Sequence, residues 1–313
     1  MEKENAIEVA HVQKRFGDRV VVHDVSFAVR QGEVFGLLGP NGAGKTTTLK
    51  MITTLLRQDG GHITVNGFDT LTQPQMVRRQ FGLTGQTATI DQDLTATENL
   101  VIFARLNGLS RSAARARAAE LLASFDLTNA ANQRLSEFSG GMRRRLDLAV
   151  SLIGAPSILF LDEPTTGLDP RTRAQMWATI RDLVQQGSTV VLTTQYLEEA
   201  DQLADRIALI DHGRMVAVGT PSQLKQQIGG SRLSLEVPAA SWTTPAQAVV
   251  QKVLSGPVMV EKRTVTADLG PDGLPAVNTI LQQLQAAGVP LSNFAMQEPS
   301  LDDVFLRMTV GKN

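Results

Sequence analysis

Cysteine is absent from the chain. That excludes disulfides and thiolate chemistry, and it fits a reducing compartment. Histidine is scarce: His11, His23, His62 and His212 lack metal-ligand spacing, so none is a candidate ligand or catalytic group. The formal net charge is −1, without the basic surplus that a nucleic-acid binder carries. No uninterrupted apolar run approaches the ~20 residues that span a bilayer, so a membrane role has to be peripheral, through a separate partner. The opening Met1-Glu2-Lys3-Glu4-Asn5 is polar and acidic, unlike a signal peptide. What remains is a chain of 313 residues, 42% hydrophobic and 19% charged, long enough for two domains.

One stretch organises the rest. Val34-Phe35-Gly36-Leu37-Leu38 reads as a strand and Thr47-Thr48-Leu49-Lys50-Met51-Ile52 as a helix. Between them lies Gly39-Pro40-Asn41-Gly42-Ala43-Gly44-Lys45-Thr46, the Gly-x4-Gly-Lys-Thr spacing of a phosphate-binding P-loop. Its glycines let backbone N–H groups converge on phosphate oxygens. Lys45 supplies a point charge to the β- and γ-phosphates, and the Thr46 hydroxyl a ligand to Mg²⁺. A helix N-terminus alone gives an anion about 0.3–1 kcal/mol, up to roughly 2 when partly buried. That does not hold a nucleotide, so lysine, metal and N–H groups have to act together.

Upstream, residues 7–12, 20–22 and 25–29 read as three strands of an antiparallel opening. Phe16, between the first two, is either an adenine-stacking platform or a small-core side chain. Downstream, 62–65 and 81–83 are short strands, and Gln86 follows the second on the side where α/β sheets bind ligands. Residues 90–155 read as helical. Thr95 with Glu98 fits a capping box, and Ser110 caps a second helix. Phe138-Ser139-Gly140-Gly141-Met142 opens a third, where a Ser cap and two glycines leave N–H groups uncovered as a second anion site. The Arg143-Arg144-Arg145 run after it is open to phosphate or partner contacts.

Ile158-Leu159-Phe160-Leu161-Asp162-Glu163-Pro164 is a buried parallel strand ending in two carboxylates. There Asp162 can orient Mg²⁺ and its waters, and Glu163 can poise a water for attack. Asp169, in the turn 166–170, is placed to reach a neighbouring subunit, and Trp177 reads as packing. Residues 189–193 form another buried strand, followed by Gln195, and 206–219 a hairpin. Beyond Thr220 the pattern changes to strands at 232–237, 258–269 and 292–297, a helix over 275–287 and a capped helix from Ser300.

In this order, the P-loop, Gln86, Phe-Ser-Gly-Gly-Met, Leu-Asp-Glu-Pro and Gly-Leu-Asp resemble the nucleotide-binding domain of an ATP-binding-cassette (ABC) protein. Within that superfamily the chain resembles the daunorubicin-resistance type of exporter ATPase, on residues 138–147, on Thr193-Thr194-Gln195-Tyr196-Leu197-Glu198-Glu199-Ala200-Asp201 and on Pro299-Ser300-Leu301-Asp302-Asp303-Val304-Phe305. The resemblance implies an α/β P-loop NTPase core with an antiparallel β subdomain and a helical subdomain, followed by a small C-terminal α+β domain. The nucleotide-binding domain is then 1–220, its core at about 1–89 and 156–220 and its helical part at about 90–155; the accessory domain is 221–313. The accessory domain either stabilises, dimerises or regulates.

The resemblance further implies ATP and Mg²⁺ as cofactors, held by Phe16, residues 39–47 (Gly39, Pro40, Asn41, Gly42, Ala43, Gly44, Lys45, Thr46, Thr47) and Gln86. Thr46, Gln86 and, through water, Asp162 would hold the metal. Ser139, Gly140, Gly141 and Met142 would contact the nucleotide of a second copy, or of a paralogous cassette, in a head-to-tail dimer. Separately encoded integral membrane permease subunits complete the transporter, nucleic acid is no partner, and the chain lies in the cytoplasm on the inner face of the membrane. Most ABC ATPases carry histidine where this chain has Gln195. A neutral amide bonds the γ-phosphate but does not titrate near about pH 6.5, which leaves Glu163 as general base. The rival reading is a soluble ABC ATPase acting on the ribosome, nucleic acid or metal-cluster assembly. A single P-loop and the lack of a heptad run argue against its nucleic-acid and ribosomal forms.

Overall fold

Apolar runs that stay apolar on both sides of the pleat mark strands covered on both faces, and here they form the centre of a ten-stranded sheet. The structure, a computed structural model, describes residues 4–84, 90–227, 231–269 and 273–310, with side chains to 308. Gln86 therefore lies outside the described residues. The chain folds as two compact units, Met1–Pro221 and Ser222–Asn313.

In the first unit the strands are β1 (Asn5–Phe16), β2 (Arg19–Arg30), β3 (Val34–Leu38), β4 (Gly60–Val65), β5 (Phe68–Asp69), β6 (Phe81–Thr84), β7 (Ile158–Asp162), β8 (Thr189–Thr194), β9 (Arg206–Asp211) and β10 (Arg214–Gly219). The helices are α1 (Lys45–Ile52), α2 (Pro74–Arg78), α3 (Ala96–Leu106), α4 (Arg111–Ser124), α5 (Gly140–Ser151), α6 (Pro170–Gln185) and α7 (Leu197–Leu203); α8 (Pro221–Gln227) starts at the last residue of this unit and belongs otherwise to the second. The strand order is β5-β4-β1-β2-β10-β9-β3-β8-β7-β6. From β9 to β6 neighbouring strands run parallel; β1, β2 and β4 pair antiparallel.

Successive residues of the central strands serve different cores, as the period of two requires. Phe35, Leu37, Ile158 and Phe160 pack with Leu49, Met51 and Ile52 of α1 and with Val9, Val25, Phe27 and Ile63 of the antiparallel strands. Val34, Leu159, Leu161, Val190 and Leu192 pack with Met176 and Ile180 of α6 and with Leu100, Leu121 and Leu146 of the helical segment. A fully buried Leu or Phe contributes about 1.5–3 kcal/mol, so this double layer fixes the strands' register. The register aligns the strand ends: Leu38 pairs with Thr194, Thr193 with Asp162 and Leu161 with Thr84. Everything that follows β3, β8, β7 and β6 thus starts from one edge of the sheet.

Residues 20–22 and 25–29 are one strand, not two. Its partner β1 absorbs the irregularity through register shifts between Val9 and Val12, where His11 takes a φ of 51° and donates its N–H to Ser26 Oγ at 2.8 Å. Such a bulge adds a residue without ending the pairing.

In the second unit β11 (Arg232–Glu236), α9 (Thr243–Val253), β12 (Val258–Glu261), β13 (Thr264–Asp268), α10 (Gly273–Ala286) and β14 (Asn293–Gln297) follow a βαββαβ course, with α11 (Leu301–Val310) after it. The sheet order β12-β13-β11-β14 is that of a ferredoxin-like split βαβ fold. Leu233, Leu235, Val250, Ile280 and Leu284 make its core. Residues 258–269, expected as one strand, are a hairpin that turns at Lys262, φ 53°, and α9 fills a stretch to which the sequence reading assigned no element. The Ser300 cap is formed, its Oγ accepting from the Asp303 N–H at 3.2 Å.

Candidate functional site

The P-loop is bent by backbone that only glycine tolerates. Gly39 has a φ of 153°, and a Cβ there would stand 2.0 Å from the Ile210 carbonyl oxygen. Buried Lys45, the first residue of α1, donates to the carbonyls of Gly39 at 2.7 Å and Pro40 at 3.0 Å. Burial pulls its ammonium below the usual lysine range, and the nearby Glu163 and Asp162 oppose that shift. Pro40, Asn41, Gly42, Thr46 and Thr47 are open to solvent in varying degree, whereas Ala43 and Gly44 are buried.

Next to the loop, β7 presents Asp162. Its Oδ1 receives the Thr46 hydroxyl at 3.4 Å and a hydrogen bond from Thr193 Oγ1 of β8. A hydroxyl and a carboxylate oxygen converging at a strand end suit Mg²⁺, which takes one or two protein oxygens beside phosphate and water. The donor set fits the ion. Glu163, just past the strand, has a φ of 50°, in the left-handed region that costs a non-glycine residue about 1 kcal/mol or more. Its N–H donates to the Thr193 carbonyl at 3.0 Å, and its carboxylate accepts from the Thr166 hydroxyl at 3.1 Å. Gln195 is exposed immediately beyond β8.

Phe16 is 49% exposed, which excludes the small-core reading; the Lys14 ammonium lies 5.5 Å from its ring centroid. Asp169 caps α6, accepting from the Thr172 N–H at 3.0 Å and hydroxyl at 2.6 Å. The hydroxyl bond, and after it the backbone one, hold its exposed carboxyl below the usual range.

Ser139 caps α5, its Oγ accepting from the Met142 N–H at 3.3 Å. Ser139 and Gly140 are exposed, and a Cβ on Gly140 would meet nothing within 4 Å. Gly141 is different: a Cβ there would stand 2.3 Å from Thr172 Cγ2. Met142 packs in part against the helical core, so its side chain is not wholly available to a ligand. Phe138, in that same core, is buried.

The arginine run turns inward. Arg143 donates to the Ser136 carbonyl at 3.2 Å and Arg145 to the Phe125 carbonyl at 3.0 Å. Arg144 donates to the carbonyls of Asp162, Glu163 and Pro164, at 2.9, 3.0 and 2.9 Å. These guanidinium contacts lie within the chain. One turn on, burial pushes the Asp147 carboxyl up to about 6, with Arg144 opposing. A folded-state pKa above the unfolded value of about 3.8 means that ionisation costs stability. That contribution is complete below the unfolded value and lost as pH rises through about 6. Asp147→Asn is therefore expected to gain melting temperature relative to wild type between about pH 4 and pH 6.5, with a constant difference above. A pH-independent difference in thermal melts would contradict it.

Sequence reasoning missed Thr193, Arg144 and Glu199. Glu199 is fully buried and accepts from Thr165 Oγ1 at 2.8 Å and Trp177 Nε1 at 3.3 Å, which makes Trp177 packing with a polar handle. Burial raises its carboxyl, and bonds from Thr194, Thr165 and Trp177 oppose that.

A P-loop, an Asp-Glu strand end and a Ser-Gly-Gly helix on this sheet define a nucleotide-binding cassette. Residues 22–166 match the ABC transporter family, and residues 219–309 match the C-terminal domain of DrrA1-3-like ATP-binding proteins. The chain belongs to the daunorubicin-resistance-type family of ABC ATP-binding subunits, and it is an ATPase. It is 48% identical to the daunorubicin resistance ATP-binding protein DrrA2 of Streptomyces coeruleorubidus, over 97% of this chain and 95% of that one. It is 40% identical to the Nod factor export ATP-binding protein I of Burkholderia orbicola, over 97% and 96%. Among solved structures, the ATP-binding subunit of an ABC transporter superposes with a TM-score of 0.63 at 31% identity, over 71% of this chain and 92% of that one. Among the described residues no helix is long and apolar enough to cross a membrane.

Proposed function

We propose that two copies of this chain close head to tail on ATP, and that the cycle of closing and hydrolysis drives export through separate membrane subunits. Each nucleotide would lie between residues 39–47 of one copy and Ser139-Gly140-Gly141 of the other. The open space at Gly140 carries this reading. The chain's own packing does not require a glycine there, so the missing side chain leaves room for something from outside. Uncovered N–H groups at the start of a helix suit a phosphate.

Within each site Thr46 and Asp162, with Gln86, would hold Mg²⁺, which neutralises charge on the phosphates when bound. Lys45 binds the β- and γ-phosphates and Phe16 receives the adenine. Glu163 accepts the proton of the attacking water, and Gln195 orients the γ-phosphate without titrating. Asp169, held at the start of α6, faces the second copy. The cargo is a drug, antibiotic or lipid-like molecule, in line with the relatives' names, which speak of daunorubicin resistance and Nod factor export. The chain works at the cytoplasmic face of the membrane.

The test is a pull-down of the Glu163→Gln chain from detergent extract with and without ATP. An integral membrane protein retained only with ATP is the expected result. Recovery of ribosomes, or of no membrane protein in either condition, would overturn the exporter reading.

A further inference from the structure

The three carbonyls that follow one another at Asp162, Glu163 and Pro164 all accept from one guanidinium, that of Arg144 on α5. Carbonyl dipoles aimed at one point repel unless a cation satisfies them, and Arg's rigid fork of donors suits several acceptors at once. The middle one belongs to Glu163, whose left-handed φ of 50° needs support from its surroundings. On its other side the Glu163 N–H is held by the Thr193 carbonyl at 3.0 Å. The backbone of the carboxylate is thus clamped between β8 and α5.

The same 12-residue helix begins with Gly140-Gly141, behind the Ser139 cap. At 1.5 Å per residue, Arg144 sits about one turn along from that start. A helix moves as a rigid piece over so short a length, so a shift at its N-terminus reaches the Arg144 contacts.

We infer that Arg144 is a positioning residue: it sets the backbone of Glu163 and ties that backbone to the Ser-Gly-Gly end of α5. This rests on Glu163 being the general base. When the start of α5 engages the polyphosphate bound to the second copy, Arg144 draws the carboxylate of its own chain into place. Each site then reports its occupancy to the other through one side chain.

The experiment is a double-mutant cycle on the full-length chain, read by single-turnover ATP hydrolysis and by nucleotide affinity. Arg144→Gln is expected to lower the hydrolysis rate about ten- to 10²-fold, the cost of a small misplacement, with affinity for ATP within about threefold. Combined with Glu163→Gln it adds no further loss, because the group it positions is already gone. Arg144→Lys, which keeps the charge but not the fork, lies between wild type and Arg144→Gln and serves also where the glutamine variant folds poorly. Loss that adds fully in the double variant, loss of ATP affinity in step with rate, or an unchanged rate would each overturn the Arg144 proposal alone. Near-wild-type hydrolysis by Glu163→Gln by itself would instead remove the base assignment on which it rests.

Discussion

Glu163→Gln is expected to slow ATP turnover by about 10²–10⁴-fold, the usual worth of a positioned base, and to leave nucleotide binding intact. That is roughly 3–5 kcal/mol of transition-state stabilisation. The amide is isosteric, and its carbonyl oxygen can still accept from Thr166 Oγ1, 3.1 Å from the carboxylate in the native chain. The backbone contacts to Thr193 and Arg144 use main-chain atoms that the substitution leaves alone. What would disappear is the proposed proton acceptor. Gln195 cannot replace it, because an amide does not titrate in the working range. Turnover within tenfold of wild type would refute the assignment, and loss of ATP affinity in the same variant would show that the side chain binds substrate instead.

Gly140→Asp gives the second large effect, with opposite signs in two assays. A carboxylate at the first residue of α5 favours the helix dipole, by about 0.3–1 kcal/mol, and its Cβ meets nothing within 4 Å. The isolated chain therefore melts no lower than wild type and slightly higher. Toward a phosphate the same carboxylate repels, and it covers the N–H groups that the proposed site needs. Losing one preorganised anion contact costs about 10²–10³-fold in rate, and the repulsion adds to it. Calorimetry and steady-state ATPase assays check the pair. A variant that is more stable and fully active would show that the start of α5 touches no nucleotide.

The P-loop and the Asp162 strand end were legible because they join a fixed residue spacing to the continuous burial of a doubly covered strand. The continuous apolar run 158–161 left only a doubly covered strand, and its two carboxylates then had to emerge at the sheet's edge. Capping residues were equally readable: Thr95, Ser110, Ser139 and Ser300 all act through their own side chains on nearby N–H groups. The role of Arg144 was not readable. Its acceptors are main-chain carbonyls, which carry no residue identity, and they lie 18 to 20 positions away along the chain. For that reason Arg143-Arg144-Arg145 reads in the sequence only as open to phosphate or partner contacts. The single strand Arg19–Arg30 and the hairpin at Lys262 failed differently. A bulge at His11 and a turn at Lys262 both take positive φ without glycine or asparagine to announce it. Helix α9 could have been found: Ala246, Val249 and Val250 are buried at helical spacing behind Pro245.

Mixing two inactive chains tests the shared site most directly. Lys45→Ala removes the lysine of the P-loop and Gly140→Asp would spoil the start of α5, so in the proposed head-to-tail dimer each homodimer would have no working site. A mixed pair would regain one, built from the intact P-loop of the Gly140→Asp chain and the intact Ser-Gly-Gly of the other. Equilibrated in equal amounts, the two should exceed either component and recover up to about a quarter of the wild-type ATPase rate, since half the pairs of a two-fold dimer are mixed and each carries one site; the coupling through Arg144 lowers the rate below that ceiling. A mixture no more active than its components would contradict the head-to-tail arrangement.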